Sequence, residues 1–126
     1  MEIKFHHAIA LVKNVEASKK FYEEMIGLKS VKVVDTFVMF EGNFCIHAAD
    51  VFYEYINKPY RSEKLGAGDV DFYFTTSDLP AMEQKLKEAN VEFLHGIKQH
   101  DWGEKVIRIL DPDNHLLEIG DAHDET

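Results

Sequence analysis

Four polar residues stand in stretches that are otherwise apolar: His7, His47, Asp71 and Glu118. His7 shares one side of an alternating run with Phe5, Ile9 and Leu11, whereas His6 points the other way. His47 alternates with Cys45 and Ala49, two small residues that leave space in front of an imidazole. Glu118 interrupts the run Leu116, Leu117, Ile119, Gly120, and Asp71 lies between Val70 and Phe72. A carboxylate in such a strand loses several kcal/mol of solvation unless something compensates. Taken singly, each residue is explained by a hydrogen bond or by solvent at a strand end. Taken together, they offer two imidazoles and two carboxylates, and one divalent cation would account for all four. Nitrogen and oxygen donors without thiolate suit Zn, Mn, Fe, Co or Ni, and argue against a structural zinc site of the cysteine type.

The chain carries 7 histidines in 126 residues. In His100-Asp101-Trp102-Gly103, a glycine after tryptophan lets the backbone come close to a ligand, and His100 would serve as an acid or base. The alternative is a hairpin whose Trp102 covers a sheet edge. His95, His115 and His123 fall at a strand end, in a turn and in the acidic tail, where solvent is expected.

The elements that must position these residues come twice. Alternation predicts a strand over 2–12, and Asn14 caps a helix over 15–26 that Gly27 ends in the left-handed conformation. Strands follow over 29–34, 36–41 and 44–49, with a Gly42-Asn43 turn. The second half starts with a strand over 70–76, and Ser77 or Asp78 caps a helix over 79–89 with Pro80 in its first turn. Strands over 91–94, 105–110 and 116–120 complete it, the last two joined by Asp111-Pro112-Asp113-Asn114. An offset of 64 lays Asn14 on Asp78, Tyr22 on Leu86 and Glu24 on Glu88. The chain therefore reads as one α+β domain over 1–126. Its first βαβββ module occupies 1–50, a linker 51–68, the second module 69–120 and an acidic tail 121–126. The linker, with Phe52, Tyr53, Tyr55, Tyr60 and Arg61, reads equally as a packing or interface loop and as a substrate lid.

Composition narrows the classes. With 45% hydrophobic and 29% charged residues, the chain is neither disordered nor collagen-like. A single cysteine, Cys45, excludes an intrachain disulfide and points to the cytoplasm. A formal charge of -9 disfavours nucleic acid as a partner. The longest apolar run, from Ala8 to Val12, is too short to cross a membrane, and the start lacks the apolar stretch of a signal peptide.

Two stretches resemble the vicinal oxygen chelate superfamily, which includes glyoxalase I, the fosfomycin- and bleomycin-resistance proteins, methylmalonyl-CoA epimerase and the extradiol dioxygenases. One runs from His7-Ala8-Ile9-Ala10-Leu11 through Asn14, Phe21-Tyr22 and Ile26-Gly27-Leu28; the other is Asp111-Pro112-Asp113-Asn114-His115-Leu116-Leu117-Glu118-Ile119. The resemblance implies two βαβββ modules in a curled mixed sheet around one metal. It places His7 and Glu118 on the first- and last-strand ligand positions. His47 falls where glyoxalase-like members carry glutamate or glutamine, and Asp71 where most metal-binding members carry histidine. That departure leaves Asp71 in question as a fourth ligand beside His7, His47 and Glu118. The implied function is a divalent-metal-dependent lyase or isomerase acting on a small α-oxygenated substrate, with Glu118 as metal ligand and proton shuttle. The alternatives are an Fe(II) extradiol dioxygenase and a metal-free, drug-binding protein of the bleomycin-resistance type. A homodimer is expected.

Overall fold

Each half of the chain repeats one plan, in which the first strand lies parallel to the last. The computed structural model describes residues 1–101 and 103–122 and divides into two units, Met1–Leu65 and Gly66–Thr126, so the boundary falls in the run Leu65-Gly66-Ala67-Gly68. The expectations placed on Trp102, on His123 and on the tail beyond Ala122 lie outside the described residues.

The first unit runs β1 (Ala8–Val12), α1 (Val15–Lys20), β2 (Ser30–Val34), β3 (Phe37–Phe40), β4 (Phe44–Ala48) and α2 (Ala49–Tyr55). Asn14, in extended conformation, accepts a hydrogen bond from the Ala17 amide at 2.9 Å and so satisfies one of the free donors that open α1. Beyond Lys20 the helix widens into a π-helical stretch, Phe21–Ile26, before Gly27 ends it at φ +87°. The sheet order is β1-β4-β3-β2, with β1 parallel to β4 and the other pairs antiparallel. Tyr22 is fully buried, its ring against Phe40 and Phe44 at 5.8 and 5.0 Å. That contact seats the first helix on the sheet face that also carries Ala10, Val12 and Ile46.

The second unit runs β5 (Asp71–Thr76), α3 (Leu79–Glu88), β6 (Phe93–Gln99), β7 (Lys105–Leu110) and β8 (Leu116–Asp121). Asp78 caps α3 by accepting from the Ala81 amide at 3.0 Å, and Pro80 sits in the first turn. The order is β5-β8-β7-β6, with β5 parallel to β8. Leu79 and Leu86 of α3 are buried, as are Ile107, Ile109, Leu117 and Ile119 on alternate positions of β7 and β8.

Two four-stranded mixed sheets with their helices make the α+β, two-module architecture expected. Several details differ. β1 begins at Ala8, with Ile3 and Phe5 exposed, so His7 precedes the strand. The buried positions of β1 are Ala10 and Val12, while Ile9 is 40% exposed, because the helix covers the opposite face from the one carrying Ile9 and Leu11. β4 stops at Ala48, and the first part of the expected linker is helix α2. Strand β6 is longer than expected and includes His95. Among the described residues no helix is long and apolar enough to cross a membrane.

Gly66 holds φ +64°, and a Cβ built there would lie 2.3 Å from the carbonyl carbon and oxygen of Asn114. The Gly66→Ala variant should therefore lose about 2 kcal/mol or more in urea denaturation, through backbone strain and displacement of the 111–115 turn together. An unchanged denaturation midpoint would contradict this packing.

Candidate functional site: a polar row across the second sheet

Strand register sets four side chains in one line. His95 on β6 is opposite Arg108 on β7, Arg108 opposite Glu118 on β8, and Glu118 opposite Tyr73 on β5. Residues directly opposite share a face. The other face holds the buried Ile107, Ile109, Leu117 and Ile119, while this one carries the polar row beside the buried Val106.

Arg108 is the centre of the row. Its Nε donates to Glu118 Oε1 at 3.1 Å, one terminal nitrogen to His95 Nε2 at 3.1 Å and the other to His100 Nε2 at 2.8 Å. A guanidinium can only donate, so both Nε2 atoms accept and both rings are uncharged in this arrangement. The network assigns the His95 proton to Nδ1, which donates to the Gly96 carbonyl at 2.8 Å. The side chains of Arg108 and Glu118 are 24% and 13% exposed. Removing one partner from a pair that enclosed leaves the other charge poorly solvated.

Asp71 is the first residue of the edge strand β5 and is exposed, contrary to the buried setting expected from Val70 and Phe72. Its carboxyl still reaches Glu118. Loss of solvation, then the hydrogen bond and the charge of Glu118, push its pKa up to about 6, with Arg108 pulling the other way. Asp71 thus keeps its proton up to about 6. Tyr73 donates its hydroxyl to Glu104 on the same face.

In the first unit, His7 and His47 flank Phe37, at ring-centroid distances of 6.0 and 5.8 Å. The His47 ring also meets Phe52 at 6.0 Å and Tyr55 at 5.9 Å. The space expected in front of this imidazole is therefore lined by aromatic rings, because α2 folds back over β4. Among the described residues the His47 ring makes no hydrogen bond, and the His7 ring nitrogen faces that of His6. Helix α2 and the segment after it form a cleft of about 360 Å³ lined by Tyr53, Lys58, Pro59, Arg61 and Lys64.

Sequence reasoning missed two features of the second unit. His95 and His115 are not simply solvated: His95 serves Arg108, and His115 Nδ1 lies 3.0 Å from Asp111 Oδ2. Their partners lie across a strand pair or a turn, which alternation within one strand does not reveal. The second feature is a ligand-like group, since donor atoms of Asp111, Asp113 and His115 lie within 4.8 Å of one another and could hold a cation. Asp111 is already engaged there, accepting from the amides of Asp113 at 2.8 Å and His115 at 2.9 Å. Burial disfavours a charged His115, but its hydrogen bond to Asp111 and the charges of Asp111 and Asp113 outweigh that and raise its pKa.

Two such modules, each with a helix on one sheet face, make a glyoxalase-like fold. Residues 5–124 match the family of the glyoxalase-like domain, and the chain belongs to it. The resemblance to the vicinal oxygen chelate superfamily is thereby borne out. A protein of unknown function from Agrobacterium tumefaciens is 32% identical over 98% of this chain and 97% of its own, with a TM-score of 0.90. A glyoxalase/bleomycin resistance protein/dioxygenase from Nocardioides shares the fold at 17% identity and a TM-score of 0.76, over 100% of this chain and 88% of that one. So does a lactoylglutathione lyase from Agrobacterium tumefaciens, at 17% identity and a TM-score of 0.72, over 97% and 96%. No curated protein matches the sequence.

The two raised pKa values have opposite chemistry but the same sign in stability. Asp71 in the fold keeps a proton up to about 6, whereas its ordinary value is 3.8. Its contribution is thus fully present below the ordinary value and lost as pH rises through about 6. His115 contributes fully below its ordinary 6.5 and loses that contribution as pH rises through its higher folded value. Replacing Asp71 by Asn should flatten the decline in urea stability between those two Asp71 values. A carboxyl carbon resonance of Asp71 in the wild type should titrate near 6; a midpoint near 4 would contradict the contact with Glu118.

Proposed function

We propose that the protein is a lyase or isomerase of the glyoxalase type, acting on a small α-oxygenated substrate with one divalent metal ion. The observation that carries this reading is the polar row across the second sheet, where Arg108 Nε holds Glu118 at 3.1 Å opposite Tyr73 and the nearby Asp71 carboxyl is raised to about 6 by burial and by Glu118. A carboxyl raised in this way suits proton transfer at a carbon next to a carbonyl, because it takes up and releases a proton closer to neutral pH than an ordinary aspartate. Membership of the glyoxalase-like family and the shared fold of the Agrobacterium lactoylglutathione lyase support the same class.

The donors present suit a divalent ion. A cation would relieve the repulsion from Glu118 that helps to raise the Asp71 pKa, and the His47 ring has no competing hydrogen bond among the described residues. His7, His47 and Glu118 would hold the ion, with Asp71 as a fourth ligand. When bound, the ion supplies Lewis-acid polarisation of the substrate's oxygens. Glu118 would take a proton from the carbon beside the substrate carbonyl and return it to the neighbouring atom. Arg108 Nε keeps Glu118 oriented for both transfers, and Phe37, Phe52 and Tyr55 flank the His47 ring. His100 would act as a further acid or base only on leaving Arg108. A homodimer belongs to this reading, with sedimentation equilibrium as its measure.

One observation favours a second reading, a metal-free binder of the bleomycin-resistance type. Glu118 is already neutralised by Arg108 at 3.1 Å, so the carboxylate does not require a metal. Metal content separates the two. Protein purified without chelator should carry about one divalent ion per chain, and both His7→Ala and Glu118→Ala should lose most of it. Unchanged content in both variants overturns the ligand set, and a metal-free wild type favours the binder. Full loading of Asp71→Ala would reduce the set to three. Turnover of methylglyoxal with a panel of thiols then tests the lyase, and turnover of catechol under Fe(II) tests the dioxygenase alternative.

A further inference from the structure

Arg108 has donors to spare. Of its five N–H groups, Glu118 takes the one on Nε, while His95 and His100 each take one from a terminal nitrogen. One N–H on each terminal nitrogen is left without a partner among the described residues. The ion pair with Glu118 alone does not require this degree of fixing, since holding a long side chain in one geometry costs conformational entropy. Two imidazoles that only accept add orientation without adding charge. His95 is itself fixed in the accepting tautomer by the Gly96 carbonyl. A guanidinium aimed in this way, partly enclosed and with a free N–H on each arm, matches an oxygen acceptor.

We propose that Arg108 binds the substrate, presenting these two N–H groups to the oxygens of a small uncharged hydroxycarbonyl compound, with His95 and His100 as its positioning residues. The proposal rests on the reading of this sheet face as the one where the substrate reacts. Charge decides the ligand class. Arg108 already faces the Glu118 carboxylate at 3.1 Å and lies within electrostatic reach of Asp71. A substrate carboxylate would bring a third acidic group to a single guanidinium, whereas a carbonyl or hydroxyl oxygen accepts the same hydrogen bonds without that repulsion. During proton transfer the same N–H groups would face an oxygen gaining negative charge, where a fixed donor is worth most.

The test uses the full chain as purified, labelled with nitrogen-15, and follows the Arg108 Nε–H resonance while hydroxyacetone is added. Pyruvate, of the same carbon skeleton but carrying a carboxylate, is the second probe. Hydroxyacetone should shift that resonance saturably and bind more tightly than pyruvate. Arg108→Gln should weaken hydroxyacetone binding about tenfold, the scale of a charged hydrogen bond. His95→Leu should weaken it and broaden the Nε–H resonance. His95→Gln, whose amide oxygen can still accept, should restore both, an outcome that a packing role for the ring would not give. Equal affinity in the wild type and Arg108→Gln overturns the proposal, and tighter binding of pyruvate overturns the ligand class. If the wild type also loads metal and turns over methylglyoxal, the proposal falls alone. If it neither binds hydroxyacetone nor turns over any α-oxygenated substrate, the functional reading falls with it.

Discussion

Parallel strands cannot be joined by a tight turn, and each module of this protein pairs its first strand in parallel with its last. The chain therefore leaves the first strand and crosses over through a helix, and here it lays two antiparallel strands before the parallel partner. The crossover commits one sheet face to the helix, with Tyr22 in the first module and Leu86 in the second filling that side. What remains is a face that admits polar side chains beside buried ones such as Cys45 and Val106, and on which residues distant in sequence become neighbours. Asp71 and Glu118 meet there because β5 and β8 are adjacent, although a helix and two strands separate them along the chain.

The parts of this plan written in local chemistry were legible beforehand. Asn14 and Asp78 cap their helices as their side chains predict, Gly27 terminates the first helix, and the Asp111-Pro112-Asp113-Asn114 turn joins β7 to β8. Those features depend on a few consecutive residues. Alternation in β1 gives two faces without saying which one a helix will cover, and the more hydrophobic face is the more exposed one. Ile9 and Leu11 are more hydrophobic than Ala10, yet Tyr22 settles the matter from the other side. The widening of the first helix at Phe21 has no sequence signal of comparable strength.

The candidate site shows the same division. Glu118 stood out because it interrupts an apolar run. Arg108 did not, since one cation among Val106, Ile107 and Ile109 reads as the solvated side of a strand. Its importance comes from three partners on two neighbouring strands and a loop, and strand pairing supplies them. His95 and His115 were assigned to solvent for the same reason. Each is an ordinary polar residue in its own segment and becomes specific only through Arg108 or Asp111.

The proton that Asp71 keeps also alters a bulk property. The formal charge of -9 treats every carboxyl as ionised and every histidine as neutral. A carboxyl that titrates near 6 is still protonated where ordinary aspartates have long been charged. In mildly acidic solution this carboxyl makes the folded chain less anionic than its composition implies. Its contribution moves the isoelectric point of the native protein above that of the unfolded chain, so unfolding near that pH releases a proton and increases migration toward the anode.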